Sequence, residues 1–315
     1  MAHETMDIDL VYLWVDGNDP EWLAKHNACV GKMEAKSATD CKGRYADNDE
    51  LKYSLRSIEK YAPWIHRIFI VTDNQTPAWL DTSDPKIRIV DHSEIMPAVS
   101  RPCFNATVIE HFICDIPGLA EHFLFANDDM FINRPVTPET FFAEDGLPII
   151  RFNRRPFRKF TLWYKEKVQG KRLSNYIQII RNAAELVERK YGKYYGGKTH
   201  HNIDAYLKSD CQHVERMFRK EIEPTLTNHV RSANDIQRNL FAYVALAEKR
   251  AHLHYVGQRT SFRLHIQNES HYAKLERYNP MLFCMNDSQY AGDADREREK
   301  EWLERRFPEK SRFEK

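Results

Sequence analysis

Three consecutive polar residues, Asn127, Asp128 and Asp129, follow an apolar run with the length and composition of a buried strand. Two adjacent carboxylates repel each other unless a cation or a basic group neutralises them. Hard divalent cations such as Mg²⁺ or Mn²⁺ take one or two protein carboxylates and complete their coordination shell with phosphate oxygens. The pattern therefore predicts a site for a metal ion and a diphosphate. An acidic turn or a helix N-cap is the plainer alternative.

Four further motifs carry side chains suited to the same chemistry. Asp16-Gly17-Asn18 ends an apolar run, where a glycine either lets the backbone approach a nucleotide or forms a tight turn. His200 and His201 follow a glycine-rich stretch, and such a histidine is either a general base on a hydroxyl group or a solvated side chain. Arg231 lies in a polar turn, where it either clamps a phosphate or forms a surface ion pair. Asn286-Asp287 repeats an apolar run that ends in Asn-Asp.

The elements that must position these residues alternate between strand and helix in the first half of the chain. Apolar runs predict strands over 8–15, 68–72, 87–90 and 123–126, and helical periodicity predicts helices over 49–61, 105–116, 173–190, 204–222 and 236–250. This alternation indicates an α/β fold with a mostly parallel, Rossmann-like sheet and helices on both faces. Ligands of such sheets bind beyond the carboxyl ends of the strands. Asp16 and the pair Asp128–Asp129 both fall there.

The composition is that of an ordinary globular chain. Of its 315 residues, 42% are hydrophobic and 30% are charged, and 47 basic against 46 acidic side chains give a formal net charge of +1. This balance argues against a dedicated nucleic-acid-binding protein. No run approaches the ~20 apolar residues of a membrane-spanning helix, and residues 1–10 lack the features of a secretory signal. Six scattered cysteines without a CxxC pair predict reduced, mostly buried thiols, so we expect a cytoplasmic location.

Taken together, the motifs resemble those of the Stealth family of sugar-phosphate transferases, in four blocks that follow the family order. The first block covers residues 8–19. The second runs from Arg44-Tyr45 through residues 47–58, 62–64 and 68–72 to Asn127-Asp128-Asp129. The third extends from His200 to about Leu246, with Lys198-Thr199-His200-His201 where family members commonly carry His-x-Pro-His. The fourth covers residues 282–287. The resemblance omits residues 151–198 and the charged C-terminal part.

The resemblance implies a GT-A-like variant of the α/β fold, with a helical insertion, and a transfer reaction at phosphorus. A UDP-sugar would donate hexose-1-phosphate or N-acetylhexosamine-1-phosphate to a sugar hydroxyl group and release UMP. The product would be a phosphodiester in capsular or another cell-surface polysaccharide. The implied partners are the UDP-sugar donor, a saccharide or polysaccharide acceptor, and a membrane-bound capsule assembly complex with which a bacterial protein associates peripherally. No nucleic acid is expected.

The same resemblance assigns roles to individual residues of this chain. Mg²⁺ or Mn²⁺ would be held by Asp128, Asp129, Asn286 and Asp287. The catalytic residues would be Asp129, Arg231 on the phosphate oxygens, and a histidine base, which is His201 by its spacing to Asp204 or else His200. The residues expected to contact the nucleotide sugar are Asp16, Gly17, Asn18, Arg44, Asn48, Arg56 and Asn127.

The expected organisation has four parts. Residues 1–150 form the first half of a catalytic α/β domain, 151–198 an insertion that covers the acceptor as a lid, 199–292 the second half of the domain, and 293–315 a charged C-terminal tail, either a solvated terminal helix or a frayed end. Two other functions remain open. One is a conventional metal-dependent glycosyltransferase that releases UDP. The other is a catalytically inactive subunit that binds a sugar nucleotide within a capsule assembly complex.

Overall fold

The computed structural model of the chain describes residues 6–33 and 40–315. Residues 1–5, on which part of the expectation about a secretory signal rests, lie outside these ranges. The strands are β1 Ile8–Leu13, β2 Ile68–Thr72, β3 Ile87–Asp91, β4 His122–Asn127, β5 Met130–Ile132, β6 Ile149–Asn153, β7 Lys198–Thr199, β8 Asp204–Leu207, β9 His252–Tyr255, β10 Ser261–His265 and β11 Leu282–Asn286. The helices are α1 Pro20–Val30, α2 Glu50–Tyr61, α3 His92–Ile95, α4 Ala106–Ile109, α5 Arg158–Trp163, α6 Asn175–Tyr191, α7 Lys208–Met217, α8 Arg219–Ile222, α9 Asn239–Ala247, α10 Glu269–Tyr278 and α11 Asp293–Arg306.

The central sheet has the strand order β3-β2-β1-β4-β8. The first four strands are parallel, and β8 pairs antiparallel with β4. Alternate residues of β1 enter separate apolar clusters, with Val11 on one face and Leu10 and Tyr12 on the other. Both faces of the sheet are therefore covered, which explains why these strands read as unbroken apolar runs. The predicted mostly parallel α/β fold is confirmed.

A second sheet, of order β10-β11-β5, extends this core beside the end of β4. The strand β5 begins directly after Asp129 and pairs antiparallel with β11, so that Met130 lies opposite Cys284. The backbone N–H of Met285 donates to the carbonyl of Asp129 at 2.9 Å. The last apolar run thus lies directly against the Asp128–Asp129 turn. A third sheet has the order β7-β6-β9.

Two predicted helices differ from the observed elements. Residues 204–222 begin as β8, whose four residues are buried, and the chain becomes helical only from Lys208. Strand pairing with β4 overrides the local helical pattern there, because a fifth strand covers an otherwise open sheet edge. Residues 105–116 form the short α4 followed by a tighter 3₁₀ segment, Glu110–Asp115, although the predicted apolar face is buried.

The charged C-terminal tail forms a helix, which is one of the two predicted alternatives, but the expectation that this region is solvated throughout is wrong. Helix α11 buries Glu299, Trp302 and Leu303, and the segment after it buries Phe307 and Phe313. Phe307 packs parallel to Phe131 of β5, with ring centroids 6.2 Å apart. The high density of charges in this region marks the outer face of a packed helix rather than a frayed end.

All six cysteines lie within the described residues and carry free thiols; five are buried and Cys29 is exposed. This confirms the prediction of reduced, mostly buried thiols. Among the described residues, no helix has both the length and the apolar character needed to cross a membrane.

Candidate active site

A cleft of about 390 Å³ opens where the carboxyl ends of β1, β2 and β4 meet. Its volume is within the range of small-molecule and cofactor sites. Because β1 pairs with β4 in a register that sets Leu13 beside Asn127, the loops after these two strands leave the sheet together. The charged and polar residues that line the cleft include Arg44, Tyr45, Glu50, Asp73, His92, Thr107, Glu110, Asn127, Asp128, Asp129, Tyr176, Thr199, His201, Arg231, Gln237, Arg238, Arg263, Asn286, Asp287, Ser288 and Gln289.

Asp129 lines the cleft, and its two carboxylate oxygens have different surroundings. The Cys284 thiol lies 3.1 Å from Oδ2. The buried Oδ1 has no hydrogen-bond partner among the residues that the structure describes. Burial raises the pKa of Asp129 to about 6, which means that an uncompensated negative charge is costly there. An orphaned carboxylate oxygen at a cleft wall fits a cation.

Asp128 belongs to a larger group of carboxylates. Burial raises its pKa well above the ordinary value, and the charges of Glu50 and Asp129 add to the effect. Burial and the neighbouring Asp47 raise the pKa of Glu50 to about 8. Burial, followed by the charge of Glu50, also raises the pKa of Glu299 far above its usual value. These groups form an acidic cluster whose full ionisation requires a cation.

The donor atoms around Asp129 allow a test of whether they suit a metal ion. Ligand atoms of Asp129, His201 and Cys284 lie within 4.8 Å of one another. Burial and the negative charge of Asp129 raise the pKa of the Cys284 thiol, so this sulfur stays protonated and acts as a hydrogen-bond donor. The remaining donors are oxygen and imidazole nitrogen. Carboxylate oxygens suit hard divalent cations, and these residues therefore fit such an ion.

The two adjacent histidines have different surroundings. His201 lines the cleft, and its backbone adopts the left-handed conformation with φ of +55°. Burial and the charges of Arg263 and Lys198 lower its pKa well below the usual value, so its imidazole is neutral at neutral pH. His200 is buried, and its Nε2 lies 3.3 Å from Asp204. Of the two, only His201 is among the cleft-lining residues.

Cationic side chains lie in the same cleft as the acidic cluster. Burial and the charge of Arg44 lower the pKa of Arg231 to about 10. The Arg231 guanidinium lies over the ring of Tyr176 at 5.7 Å from its centroid. The buried Nε atoms of Arg44 and Arg231 have no hydrogen-bond partner within the described part of the chain. Two neighbouring guanidinium groups with unused donors form a site for an anion such as a phosphate.

The first predicted nucleotide-binding loop serves the fold instead. The N–H of Gly17 donates to the carbonyl of Tyr45 at 2.7 Å, and a Cβ at position 17 would lie 2.5 Å from that oxygen. The glycine therefore permits close contact with another loop of the protein. Asp16 accepts from the N–H of Asn18 at 2.8 Å, and Asn18 is exposed. None of Asp16, Gly17 and Asn18 is among the cleft-lining residues.

Two more predicted nucleotide contacts have structural partners. Arg56 is buried and forms ion-pair hydrogen bonds of 2.7 and 2.8 Å with both carboxylate oxygens of Glu314. The assignment of Arg56 to the nucleotide is therefore corrected, because its guanidinium anchors the C-terminal segment on α2. Asn48 donates from its side chain to Glu50 at 2.8 Å and thus orients a carboxylate of the acidic cluster. Arg44 and Asn127 do line the cleft.

Asn286 and Asp287, the two predicted metal ligands nearest the C-terminus, have different hydrogen-bond partners. Asp287 lines the cleft, but its carboxylate oxygens accept from Arg296 of α11 at 2.8 and 3.2 Å. Burial still raises the pKa of Asp287 despite this ion pair, so Asp287 remains a predicted metal ligand. Asn286 donates from its side-chain nitrogen to the carbonyl of Asp287 at 2.6 Å. Its position in the cleft beside Asp129 keeps it as a candidate ligand.

Sequence reasoning missed several residues of the site. Glu50 and Glu299 complete the acidic cluster, although α11 follows Asp129 by more than 160 residues. Arg238 is buried and pairs with Asp204 at 2.6 Å and with Glu110 at 3.3 Å. The position of Glu50 at the start of α2, within the second block of motifs, was a signal that could have marked it. No local pattern marks Glu299, because only tertiary packing brings it there.

Comparisons with known proteins define the class to which this site belongs. Residues 6–34 match Stealth protein CR1, conserved region 1, and residues 44–150 match Stealth protein CR2, conserved region 2. The chain thus carries two conserved regions of the Stealth family, and the recognition made from its motifs is confirmed. The second conserved region contains Arg44, Glu50, Asn127, Asp128 and Asp129 of the cleft.

Several curated proteins resemble the chain. An exopolysaccharide phosphotransferase of Streptomyces coelicolor is 36% identical over 98% of this chain and 52% of its own length. The exopolysaccharide phosphotransferase CpsY of Mycobacterium tuberculosis is 35% identical over 98% of this chain and 58% of its own. A capsular polysaccharide phosphotransferase of Actinobacillus pleuropneumoniae is 38% identical over 73% and 62%. The chain thus spans between half and two thirds of the length of these relatives.

Among solved structures, the galactosyltransferase LgtC in complex with donor and acceptor sugar analogues is similar over 96% of each chain, with a TM-score of 0.45 and 11% sequence identity.

Proposed function

We propose that the protein transfers hexose-1-phosphate or N-acetylhexosamine-1-phosphate from a UDP-sugar to a sugar hydroxyl group and releases UMP. One observation carries the proposal: a single cleft combines a carboxylate cluster whose full ionisation requires a cation with guanidinium groups that have unused donors. A metal-bound diphosphate would satisfy both groups, because the metal ion compensates the carboxylates and the phosphates accept from the guanidinium groups. The names of the relatives, which are exopolysaccharide and capsular polysaccharide phosphotransferases, favour transfer at phosphorus.

The residues of the cleft suit in-line displacement at phosphorus. Asp128 and Asp129, with Asn286 at the edge, would hold Mg²⁺ or Mn²⁺, which supplies charge neutralisation on the diphosphate when bound. Arg231 and Arg44 would bind the phosphate oxygens and stabilise the charge that spreads over them in the transition state. Such reactions depend mostly on positioning and electrostatics, and little covalent chemistry is required of the protein.

His201 is the proposed general base. The attacking hydroxyl group must lose a proton as the new P–O bond forms, and a neutral imidazole can accept it. The lowered pKa keeps His201 neutral at neutral pH. The buried His200 and its partner Asp204 would support the backbone turn that presents His201, and the ion pair from Asp204 to Arg238 fixes that support.

The acceptor sugar would enter from the side of residues 151–198. Tyr176 of α6 is the cleft-lining residue of this insertion. The Lys198 ammonium lies 4.6 Å from the centroid of the Tyr176 ring, and Arg231 lies over the same ring. An aromatic ring at a cleft edge offers a stacking face for a sugar, and the cations beside it favour an acceptor that carries phosphodiesters.

We propose peripheral association with a capsule assembly complex in the bacterial cytoplasm.

The nucleotide product tests the reaction. The purified protein is incubated with a panel of UDP-sugars, an acceptor saccharide and Mg²⁺ or Mn²⁺, and the released nucleotide is identified by chromatography and ³¹P NMR. UMP with a new phosphodiester resonance supports the proposal. UDP would instead identify a conventional glycosyltransferase. Metal-dependent donor hydrolysis without acceptor would exclude an inactive binding subunit, whereas sugar-nucleotide binding without any turnover would favour one.

A further inference from the structure

Residues 154–172 form the most strongly basic segment of a nearly neutral chain. They contain eight lysines and arginines and one acidic residue, Glu166, whereas the whole chain has a net charge of +1. Glu166 is ion-paired with Arg181 of α6, outside the segment. Among the described residues, the ion pairs that involve these eight cations are confined to Lys159 with Glu188. The positive charge of this basic segment is therefore mostly uncompensated by the protein.

Large apolar side chains project from the same segment into solvent. Phe157 is 80% exposed, Phe160 60%, Trp163 50% and Val168 56%. Phe160 and Trp163 stack with their centroids 5.7 Å apart, so they form one continuous aromatic surface on α5. Exposed apolar patches of this kind usually mark an interaction surface, because leaving them in water is unfavourable.

The segment has a fixed position on the protein. Leu162 of α5 and Leu173 are buried, and between them the chain runs through a π-helical turn, Tyr164–Val168. Gly196 packs against Arg158, where a Cβ on the glycine would lie 2.8 Å from the arginine Cβ. The exposed aromatic rings therefore point outward from an anchored element.

The exposed surface lies outside the cleft. None of residues 154–172 is among the cleft-lining residues, and the insertion reaches the cleft through Tyr176. A sugar-binding surface places its aromatic rings in a groove beside polar hydrogen-bonding groups. Protruding aromatic and aliphatic tips surrounded by lysine and arginine are instead the features of elements that lie in the interface of an anionic bilayer.

We infer that the basic segment 154–172 docks the protein on an anionic phospholipid surface. Phe157, Phe160 and Trp163 would enter the headgroup region, and the surrounding cations would bind the lipid phosphates. Docking would hold the cleft close to a membrane without a membrane-spanning helix in the described part of the chain. The inference is independent of the proposed reaction, because it concerns a different surface.

The test measures partition of the full chain onto vesicles in a sedimentation assay. Wild type should bind vesicles of phosphatidylglycerol mixed with phosphatidylcholine, and binding should weaken as salt is raised. It should bind pure phosphatidylcholine poorly. Phe160→Ser with Trp163→Ser should lower partition about tenfold or more, and Arg154→Gln with Arg155→Gln should lower it about tenfold on the anionic vesicles alone. Tyr290→Ser with Arg305→Gln, which changes an exposed ring and an exposed cation elsewhere, should leave it unchanged.

Tryptophan fluorescence supplies a second readout. Trp163 emission should shift to the blue on anionic vesicles, and Trp163→Phe should remove the shift while it retains binding. All these positions are exposed, so thermal midpoints should stay near that of wild type. No vesicle binding by the wild type at low salt would overturn the inference. Equal binding by the segment variants would do so too. If those variants instead raise the KM for a polyanionic glycan acceptor while vesicles remain unbound, the segment is an acceptor site.

Discussion

The Cys284 thiol donates a hydrogen bond of 3.1 Å to Oδ2 of Asp129 and thereby fixes the orientation of that carboxylate. The two residues are 155 positions apart in the chain, and the pairing of β5 with β11 brings them together. The thiol keeps its proton because burial and the aspartate charge raise its pKa. One oxygen of Asp129 is thus held by a neutral donor, and the other remains for a cation.

Asp129→Asn should lower turnover by about 10²–10³ or more while the fold stays intact, because the amide keeps the shape but removes the charge from the metal site. Turnover is measured from the nucleotide released by saturating donor. Wild-type turnover should also vanish in EDTA and return with Mn²⁺. Asp145→Asn is the matched control, since this exposed aspartate is paired with His252 away from the cleft. Full activity in chelator, with no metal retained by the protein, would refute the metal assignment.

His201→Ala should lower kcat far more than donor affinity, by about 10²–10⁴, because a general base acts as the new bond forms. The imidazole must be neutral to accept a proton, and its pKa lies well below 6.5. The rate supported by wild type should therefore persist through neutral pH and fall only in acid. His200→Ala should have a milder effect.

A Mn²⁺ titration of the histidine variants separates two roles for His201. If His201 is the base, His201→Ala keeps the wild-type Mn²⁺ dependence with a lower maximum. A large rise in the Mn²⁺ concentration required would show that the imidazole is a metal ligand, which its proximity to Asp129 permits. If His200→Ala has the larger effect on kcat, the base is His200.

The acidic cluster should make the metal-free protein less stable as pH rises from mildly acidic to mildly basic values. Burial and Asp47 raise the pKa of Glu50 to about 8 in the folded state, from ~4.3 in an unfolded chain. A group with a raised folded pKa contributes stability below its unfolded pKa and loses it as pH rises through the folded value. In EDTA, the free energy of unfolding should therefore fall by more than about 1.4 kcal/mol between about pH 5 and pH 8.

A divalent cation should remove this loss, since it compensates the charges as the carboxyl protons leave. Urea unfolding followed by circular dichroism, with EDTA or Mn²⁺ at each pH, measures both curves. In EDTA, Glu50→Gln should reduce the dependence of the free energy of unfolding on pH even though no Mn²⁺ is present. Parallel curves in EDTA and Mn²⁺ would mean that the cluster does not bind the cation.

The local signals of the sequence were sufficient for the central sheet and for the strand-end carboxylates. The strand 68–72 was predicted with its observed bounds, because a sheet covered on both faces requires an unbroken apolar run. Asp128 and Asp129 followed from the position of β4 in that sheet. The family resemblance already placed Arg231 on the phosphate oxygens, and Arg231 lines the cleft, whereas the place of Glu50 in the cleft required the tertiary structure.

The predictions that differ from the structure have a common physical cause, which is contact between segments far apart in the sequence. β8 carries a helical pattern in sequence, and pairing with β4 decides its conformation. Gly17 indicates close approach, and only the structure shows that the group approached is the Tyr45 carbonyl. Helix α11 reads as solvated from its charges, whereas Trp302 and Leu303 pack inward. A high density of charged residues shows that one face of a helix is exposed, but it does not show whether the opposite face is buried.

Arg56→Ala should destabilise the protein without impairing the chemistry, because its partner Glu314 would be left buried and unpaired. The two side chains are 6% and 4% exposed, and loss of one partner of such a pair costs about 3–5 kcal/mol. Urea unfolding checks this, with Arg305→Ala, whose side chain is 67% exposed, as the control within about 0.5 kcal/mol of wild type. Arg56→Met with Glu314→Leu should recover much of the loss, since no unpaired charge remains. At a temperature where Arg56→Ala is folded, its KM for the donor should equal that of wild type. A raised KM with unchanged stability would return Arg56 to the nucleotide site.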